Sequence, residues 1–135
     1  MVAGLRTLRD TLPTILIAED NDLNRELLRE LLQAHGYDVR EAVNGRQAID
    51  LMRKSRPDVA LLDLNMPVLD GFATLKQIRQ DPSLFSLPVM AVTASAMRGD
   101  REKALEAGFD SYLSKPIDST ILYQELDRIL NFTIE

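Results

Sequence analysis

Three acids, a threonine and a lysine have the side-chain types and the spacing needed for chemistry with a phosphoryl group. They are Glu19, Asp20, Asp63, Thr93 and Lys115. Each comes just after a short apolar run that is typical of a buried β-strand. In an open parallel α/β sheet the carboxyl ends of the strands meet at one crevice, where ligands bind. The spacing therefore predicts one site that holds a divalent cation, accepts a phosphoryl group and responds to its arrival.

The acids are candidates for two tasks, covalent acceptance and metal binding. Asp63 follows a strongly apolar run, and a carboxylate held there can attack phosphorus to give an aspartyl-phosphate. Glu19 and Asp20 follow another run, so three carboxylates would crowd together if the two strands are neighbours. Two like charges about 4 Å apart cost about 1 kcal/mol in water and about 4 kcal/mol at an effective dielectric near ~20. Either a shared proton or a cation must relieve such a site, and Mg²⁺ suits carboxylate, water and phosphate oxygens.

Each of these residues also has a plainer interpretation when it is taken alone. Asp63 would cap the following loop, while Glu19 and Asp20 would favour the N-terminus of the next helix through its dipole. Thr93 would be an ordinary strand-end residue and Lys115 an ordinary surface lysine. Their common position at strand ends favours the functional interpretation, because a hydroxyl and an ammonium placed together can hold phosphoryl oxygens.

Alternating strand and helix signals predict the elements that position these side chains. The third strand run is the most apolar and is expected at the centre of the sheet, whereas the second is more polar and is expected at an edge. Asn21 or Asp22 should begin the first helix, Gly36 should end it, and Pro116 raises the chance of a cis bond after Lys115. The alternation predicts an α/β fold with a parallel sheet covered by helices on both faces. Strands are predicted at 14–18, 37–42, 58–62, 88–92 and 110–113. A fourth helix is predicted at roughly 98–107, started by Asp100 or a nearby residue and ended by Gly108.

Composition and length limit the classes of function. The chain has 135 residues, no cysteine and a net charge of −5, which indicates one domain without disulfides and disfavours direct nucleic-acid binding. No stretch resembles a membrane span or a signal peptide, so a cytoplasmic protein without membrane contact is expected. We expect an N-terminal extension at 1–12, the domain at 13–131 and a C-terminal tail at 132–135.

Taken in order and at their spacing, four stretches resemble the receiver domain of two-component response regulators. The resemblance covers about residues 13–130, and it is specific as a set although each piece alone is weak. It implies a flavodoxin-like (βα)5 doubly wound sheet with strand order 2-1-3-4-5. The four stretches are Ile15-Leu16-Ile17-Ala18-Glu19-Asp20-Asn21, Leu61-Leu62-Asp63-Leu64-Asn65-Met66-Pro67-Val68-Leu69-Asp70-Gly71, Val92-Thr93-Ala94 and Tyr112-Leu113-Ser114-Lys115-Pro116.

The resemblance implies a set of Mg²⁺ ligands. Asp20, Asp63 and the backbone carbonyl of Asn65 would bind the ion directly. Glu19 stands where many receivers have Asp, and it would act mainly through a metal-bound water. Asn65 and Ser95 match the variable positions that tune how long the phosphoryl group survives in this family.

The resemblance also implies a switch. Asp63 would take a phosphoryl group from a partner's phosphohistidine, Thr93 and Lys115 would hold its oxygens, and Tyr112 would rotate inward as Thr93 moves. Taken alone, Tyr112 would be a half-exposed strand aromatic. The output face would be the fourth helix, the fifth strand and the fifth helix, with candidates Arg98, Arg101, Glu102, Tyr112, Ile121 and Tyr123.

The implied partners are a histidine kinase or histidine phosphotransfer protein and a downstream protein target. The only histidine, His35, is expected at a helix C-terminus, so the phosphodonor should come from another protein. The expected role is a signalling switch that catalyses its own phosphorylation and dephosphorylation. Two alternatives stay open: an aspartyl-phosphate phosphatase or phosphotransferase acting on small molecules, and a pseudo-receiver that only binds. A homodimer of the phosphorylated form, a stand-alone regulator and a piece of a hybrid kinase also stay open.

Overall fold

Strands and helices alternate along the chain from Thr14 onwards. The computed structural model describes residues 12–94 and 98–134. Ser95 and residues 1–11 of the predicted extension lie outside them, and the predicted domain boundaries stay a prediction. The elements are β1 Thr14–Ala18, α1 Asp22–Ala34, β2 Asp38–Ala42, α2 Gly45–Lys54, β3 Val59–Asp63, α3 Gly71–Gln80, β4 Val89–Thr93, α4 Asp100–Ala107, β5 Ser111–Ser114 and α5 Ser119–Ile134.

The five strands form one parallel sheet in the order β2-β1-β3-β4-β5. This confirms the flavodoxin-like (βα)5 fold and the predicted strand order. All residues of β3 are buried at the centre of the sheet, whereas β2 at the edge is only partly buried. The apolar content of each run therefore predicted its depth in the sheet, because a parallel strand covered on both faces has no side that faces water.

Several element boundaries differ slightly from the predicted ones. β3 and β4 each end one residue later than predicted, so Asp63 and Thr93 are the last residues of their strands. The ladder continues that far because Asp63 pairs with Val92, and the Leu64 N–H donates to the Val92 carbonyl at 3.0 Å. β2 and β5 also begin one residue later than predicted. α4 begins at Asp100, in agreement with the predicted start, and Gly99 before it has a left-handed φ of 89°.

The ends of α1 and α5 also refine the prediction. Asn21 is the N-cap of α1, and its side chain accepts a hydrogen bond from the Asn24 N–H at 2.9 Å. Gly36 follows the C-cap His35 with a φ of 94°, which a glycine adopts without steric cost. α5 runs to Ile134, so most of the predicted C-terminal tail belongs to this helix. No helix in the part of the chain that the structure describes is long and apolar enough to span a membrane.

The core has two layers, one on each face of the sheet. Alternate strand residues point to opposite faces, so Leu16 and Leu62 pack with α2, α3 and α4, while Ile17 and Leu61 pack with α1 and α5. These layers hold the carboxyl ends of the strands in a fixed arrangement, and the candidate site residues lie at that edge.

Gly71 brings the start of α3 directly against the end of β3. A Cβ at this position would lie 2.8 Å from the carbonyl oxygen of Asp63 and 2.8 Å from the Cα of Leu64. The Gly71 N–H donates to the Leu64 carbonyl at 3.1 Å. A side chain at residue 71 would therefore displace the backbone that carries Asp63.

We expect the substitution Gly71→Ala to lower the free energy of unfolding by about 1–3 kcal/mol, since it overpacks a close backbone contact. Urea unfolding monitored by circular dichroism measures this change. Lys76→Ala, at an exposed position of the same helix, should stay within about 0.5 kcal/mol of the parent. Equal unfolding midpoints for the two variants would contradict the packing argument.

Candidate functional site

The three predicted acids lie together at the carboxyl edge of the sheet. Glu19 and Asp20 follow β1, Asp63 ends β3, and these two strands are neighbours. One carboxylate oxygen from each residue lies within 4.8 Å of the others. Glu19 is 1% exposed and Asp63 is 5% exposed, whereas Asp20 is exposed to solvent. The structure thus brings together acids that are 44 residues apart, and it leaves one side of the cluster open.

Lys115 supplies the positive charge of this cluster. Its Nζ lies 2.5 Å from Glu19 Oε1 and 3.2 Å from Asp63 Oδ2. The β4–β5 pairing places it there, because the Lys115 N–H donates to the Thr93 carbonyl directly after the strand ends. The peptide bond between Lys115 and Pro116 is cis, the isomer whose chance the proline raises. The ammonium therefore contacts two of the three acids that repel one another.

Burial and charge shift the pKa values of this pair. Burial raises the pKa of Glu19 and nearby Asp63 adds to the rise, while hydrogen bonds from Lys115 and the Asn21 N–H oppose it. Burial acts to lower the pKa of Lys115, but the hydrogen bond to Glu19 and the charge of Asp63 outweigh it and raise that pKa. Lys115 is therefore a stable cation, and an ionised Glu19 carries an electrostatic penalty that further positive charge would relieve.

The donor set of the cluster fits Mg²⁺. The side chains that converge are carboxylates, which are the hard oxygen ligands that this ion takes together with waters. Asp63 is also held in place, since its Oδ1 accepts the Asn65 N–H at 3.0 Å. The exposed position of Asp20 leaves room for the waters that Mg²⁺ retains. The direct role predicted for the Asn65 carbonyl and the indirect role predicted for Glu19 stay predictions.

Thr93 lies at the same edge as the acids. It is the last residue of β4, is 1% exposed, and its Oγ1 accepts a hydrogen bond from Asn65 Nδ2 at 3.4 Å. Because β3 and β4 are paired neighbours, this hydroxyl lies next to the end of the strand that carries Asp63. The position suits a group that holds a phosphoryl oxygen.

Tyr112 is buried rather than half-exposed. It lies in β5 beside Ala91 of β4 and is 8% exposed. Its hydroxyl is buried and has no hydrogen-bond partner among the residues that the structure describes. Burial raises the pKa of this hydroxyl, and the charge of Asp100 adds to the rise. A buried hydroxyl without a partner costs about 1–3 kcal/mol, so an acceptor placed beside the Tyr112 hydroxyl would stabilise the buried ring.

The candidates for the output face do not all lie on one surface. Arg101, Tyr112 and Ile121 line one depression between α4, β5 and α5. Arg101 Nη1 lies 3.5 Å from the Tyr112 carbonyl, and Ile121 is 47% exposed. Arg98 and Glu102 are also exposed, but they do not line this depression.

Tyr123 points to α1 instead. Its hydroxyl donates to the Leu31 carbonyl at 2.8 Å, and its ring stacks on His35 with centroids 3.9 Å apart. His35 thus packs at the C-terminal end of α1, whereas Asp20 precedes the N-terminal end of that helix.

One further side chain, Arg25, reaches the site although nothing in its sequence context indicates this. Its Nη1 donates to the carbonyl oxygen of Glu19 at 2.9 Å. Helical spacing alone does not distinguish such an arginine from one on a solvated face.

Comparisons with known proteins agree with the fold and show the family. The family model for the response regulator receiver domain matches residues 15–127. The polar-differentiation response regulator DivK of Brucella anthropi is 43% identical over 104 residues, which cover 77% of this chain and 85% of DivK.

Solved structures are similar over nearly the whole chain. The receiver domain of a sensor histidine kinase from Pseudomonas aeruginosa has a TM-score of 0.83 and 36% identity, covering 90% of this chain and 99% of the other. In that structure a magnesium ion is coordinated in the active-site cleft. The chemotaxis response regulator CheY4 of Vibrio cholerae has a TM-score of 0.81 and 29% identity, covering 88% and 99%.

We expect Asp20→Asn to raise the melting temperature in EDTA, because it removes one of three clustered charges, each pair worth about 1 kcal/mol in water. Millimolar Mg²⁺ should raise the melting temperature of the parent and should raise that of Asp20→Asn much less. Thermal unfolding with and without Mg²⁺ checks both statements.

Asp50→Asn is the matched control for this experiment. Asp50 is exposed on α2, and its substitution should leave the Mg²⁺-dependent shift unchanged. The metal-site assignment fails if the parent protein shows no shift at millimolar Mg²⁺.

Proposed function

This chain belongs to the response regulator receiver family, and on that premise we propose that it accepts a phosphoryl group on Asp63 from a partner's phosphohistidine. The observation that carries the proposal is the position of Asp63. It is almost fully buried, contacts Lys115 at 3.2 Å and lies within 4.8 Å of two other acids. The partner would be a histidine kinase or a histidine phosphotransfer protein.

Two contacts prepare the Asp63 carboxylate for the transfer. Oδ1 accepts the Asn65 N–H and Oδ2 faces the Lys115 ammonium, so the orientation of the group is fixed. One carboxylate oxygen forms a bond to phosphorus while the bond from phosphorus to the partner's histidine nitrogen breaks. The electron pair of that bond stays on the nitrogen. The reaction depends on in-line positioning and on neutralisation of charge.

The residues around Asp63 have separate roles in the proposed phosphoryl transfer. Lys115 neutralises charge on the phosphoryl oxygens as a point cation, and the Thr93 hydroxyl donates a hydrogen bond to one of them. Bound Mg²⁺ would supply the positive charge that lets an anionic carboxylate meet an anionic phosphoryl group. Asp20 and Asp63 would hold the ion with the Asn65 carbonyl, and Glu19 would act through a bound water. In the proposed scheme the same groups support hydrolysis of the aspartyl-phosphate by water, so the domain catalyses both reactions.

Phosphorylation would change the surface near Tyr112. The phosphoryl group adds negative charge and strong acceptor oxygens, which draw the Thr93 hydroxyl towards Asp63. Tyr112 lies on the strand next to β4 and lines the depression that contains Arg101 and Ile121. A change at Thr93 therefore reaches the proposed output face through one pair of neighbouring strands, and a downstream protein would read it there.

The pseudo-receiver alternative is less well supported. It requires that a group needed for transfer be missing, yet the acids, the hydroxyl and the ammonium all lie at one edge of the sheet. This complete set favours an active phosphoacceptor.

We expect the parent protein to gain the mass of one phosphoryl group when it is incubated with Mg²⁺ and acetyl phosphate. Asp63→Asn should gain none, because an amide does not serve as the nucleophile. Intact-protein mass spectrometry measures the result, and Asp50→Asn should behave like the parent. A parent protein that gains no phosphoryl group under these conditions would overturn the proposal.

A further inference from the structure

The guanidinium of Arg25 joins three acceptors beside the cation site. Nη1 donates to the Glu19 carbonyl at 2.9 Å, Nε to Glu41 Oε1 at 3.2 Å and Nη2 to Asp22 Oδ1 at 2.6 Å. The side chain is only 16% exposed. A planar guanidinium makes three such contacts together in only one orientation. Arg25 therefore links the end of β1 to β2 and to α1 in a fixed geometry.

The contact with the Glu19 carbonyl controls the direction in which the chain enters Asp20. The Glu19 N–H is already bound to the Ala42 carbonyl at 3.0 Å. The carbonyl of Glu19 and the Cα of Asp20 belong to the same planar peptide unit. A contact that fixes this carbonyl therefore also fixes the position of that Cα. The Asp20 side chain is exposed and forms no hydrogen bond or ion pair with other described residues. Its position therefore depends on the backbone that Arg25 holds.

Glu41 links the Arg25 side chain to the sheet. It lies in β2 and also accepts bonds from Arg29 at 3.1 and 3.3 Å. Arg29 lies one helical turn beyond Arg25 and shares this acceptor, but among the described residues it pairs with Glu26 and Glu41 rather than with Glu19. The two arginines thus lie on the same face of α1 and share Glu41 as a partner. They differ because Arg25, and not Arg29, contacts the Glu19 carbonyl.

We propose that Arg25 is a positioning residue for Mg²⁺, which sets the affinity of the site by fixing the peptide between Glu19 and Asp20. This inference rests on the proposed function only for the identity of the cation. The charge of Arg25 by itself would act in the opposite direction, since a cation repels a cation. Asp22 and Glu41 neutralise that charge locally, so the geometric effect is expected to be the larger one.

The test is the dissociation constant of Mg²⁺, measured by isothermal titration calorimetry on the parent and three variants. We expect Arg25→Met to weaken Mg²⁺ binding about 10- to 100-fold, the range for loss of a group that orients metal ligands. Arg29→Met should bind Mg²⁺ like the parent. Arg25→Lys keeps the charge but cannot make the three contacts together, and it should fall between the parent and Arg25→Met.

Urea unfolding in EDTA separates positioning from stability. A purely structural role would lower the unfolding midpoint of Arg25→Met while its Mg²⁺ affinity stayed at the parent value, and this result would overturn the inference. Tighter binding in Arg25→Met, with no change in Arg25→Lys, would show a charge effect and would overturn it too. If Arg25→Met does not fold, Arg25→Lys decides, and parent-like affinity in that variant rejects the inference. A parent protein that binds no Mg²⁺ would instead reject the cation site of the proposed function.

Discussion

Repulsion among three carboxylates is the constraint on which the rest of this structure depends. Glu19 and Asp63 are buried beside each other, and Lys115 is the one cation among the described residues that contacts both. A protein gains no stability from such a cluster, so the fold must hold it in place by other means. The two-layered core does this, because it fixes β1, β3 and β4 side by side regardless of what their ends carry. The N-termini of α1 and α3 also point to this edge, where helix dipoles favour negative charge.

The structure holds the members of the cluster with different rigidity. Asp63 has a buried side chain, two fixed contacts and a backbone wedged against Gly71. Asp20 is exposed, and only its neighbouring peptide is held. A covalent acceptor needs a defined position for in-line attack, whereas a metal ligand at the open face must let waters and a partner approach. The distribution of burial therefore matches the two tasks that the acids were predicted to share.

Local apolar content and the rules for parallel sheets predicted the edge strand, the central strand and the convergence of the site. The strand order was predicted only through the resemblance to receiver domains. The ends of β3 and β4 were wrong by one residue, since a strand ends where its ladder ends and not where its apolar run ends. The burial of Tyr112 and the reach of Arg25 were not predictable in this way. Both depend on side-chain directions across neighbouring elements, which single-sequence patterns do not contain.

Tyr112 shows how a small change at the site would become a change of surface. Burial of its ring is favourable, while burial of a hydroxyl without a partner costs about 1–3 kcal/mol. In the proposed mechanism these opposing contributions bring an inward and an outward position of the ring close in free energy. A switch needs two states that differ by a few kcal/mol, and the proposed mechanism assigns such a pair to Tyr112. In that mechanism, the response to the phosphoryl group has only to offer the Tyr112 hydroxyl one acceptor. That single hydrogen bond removes the penalty and shifts the population inward, so the depression beside Arg101 changes shape without any rearrangement of the core.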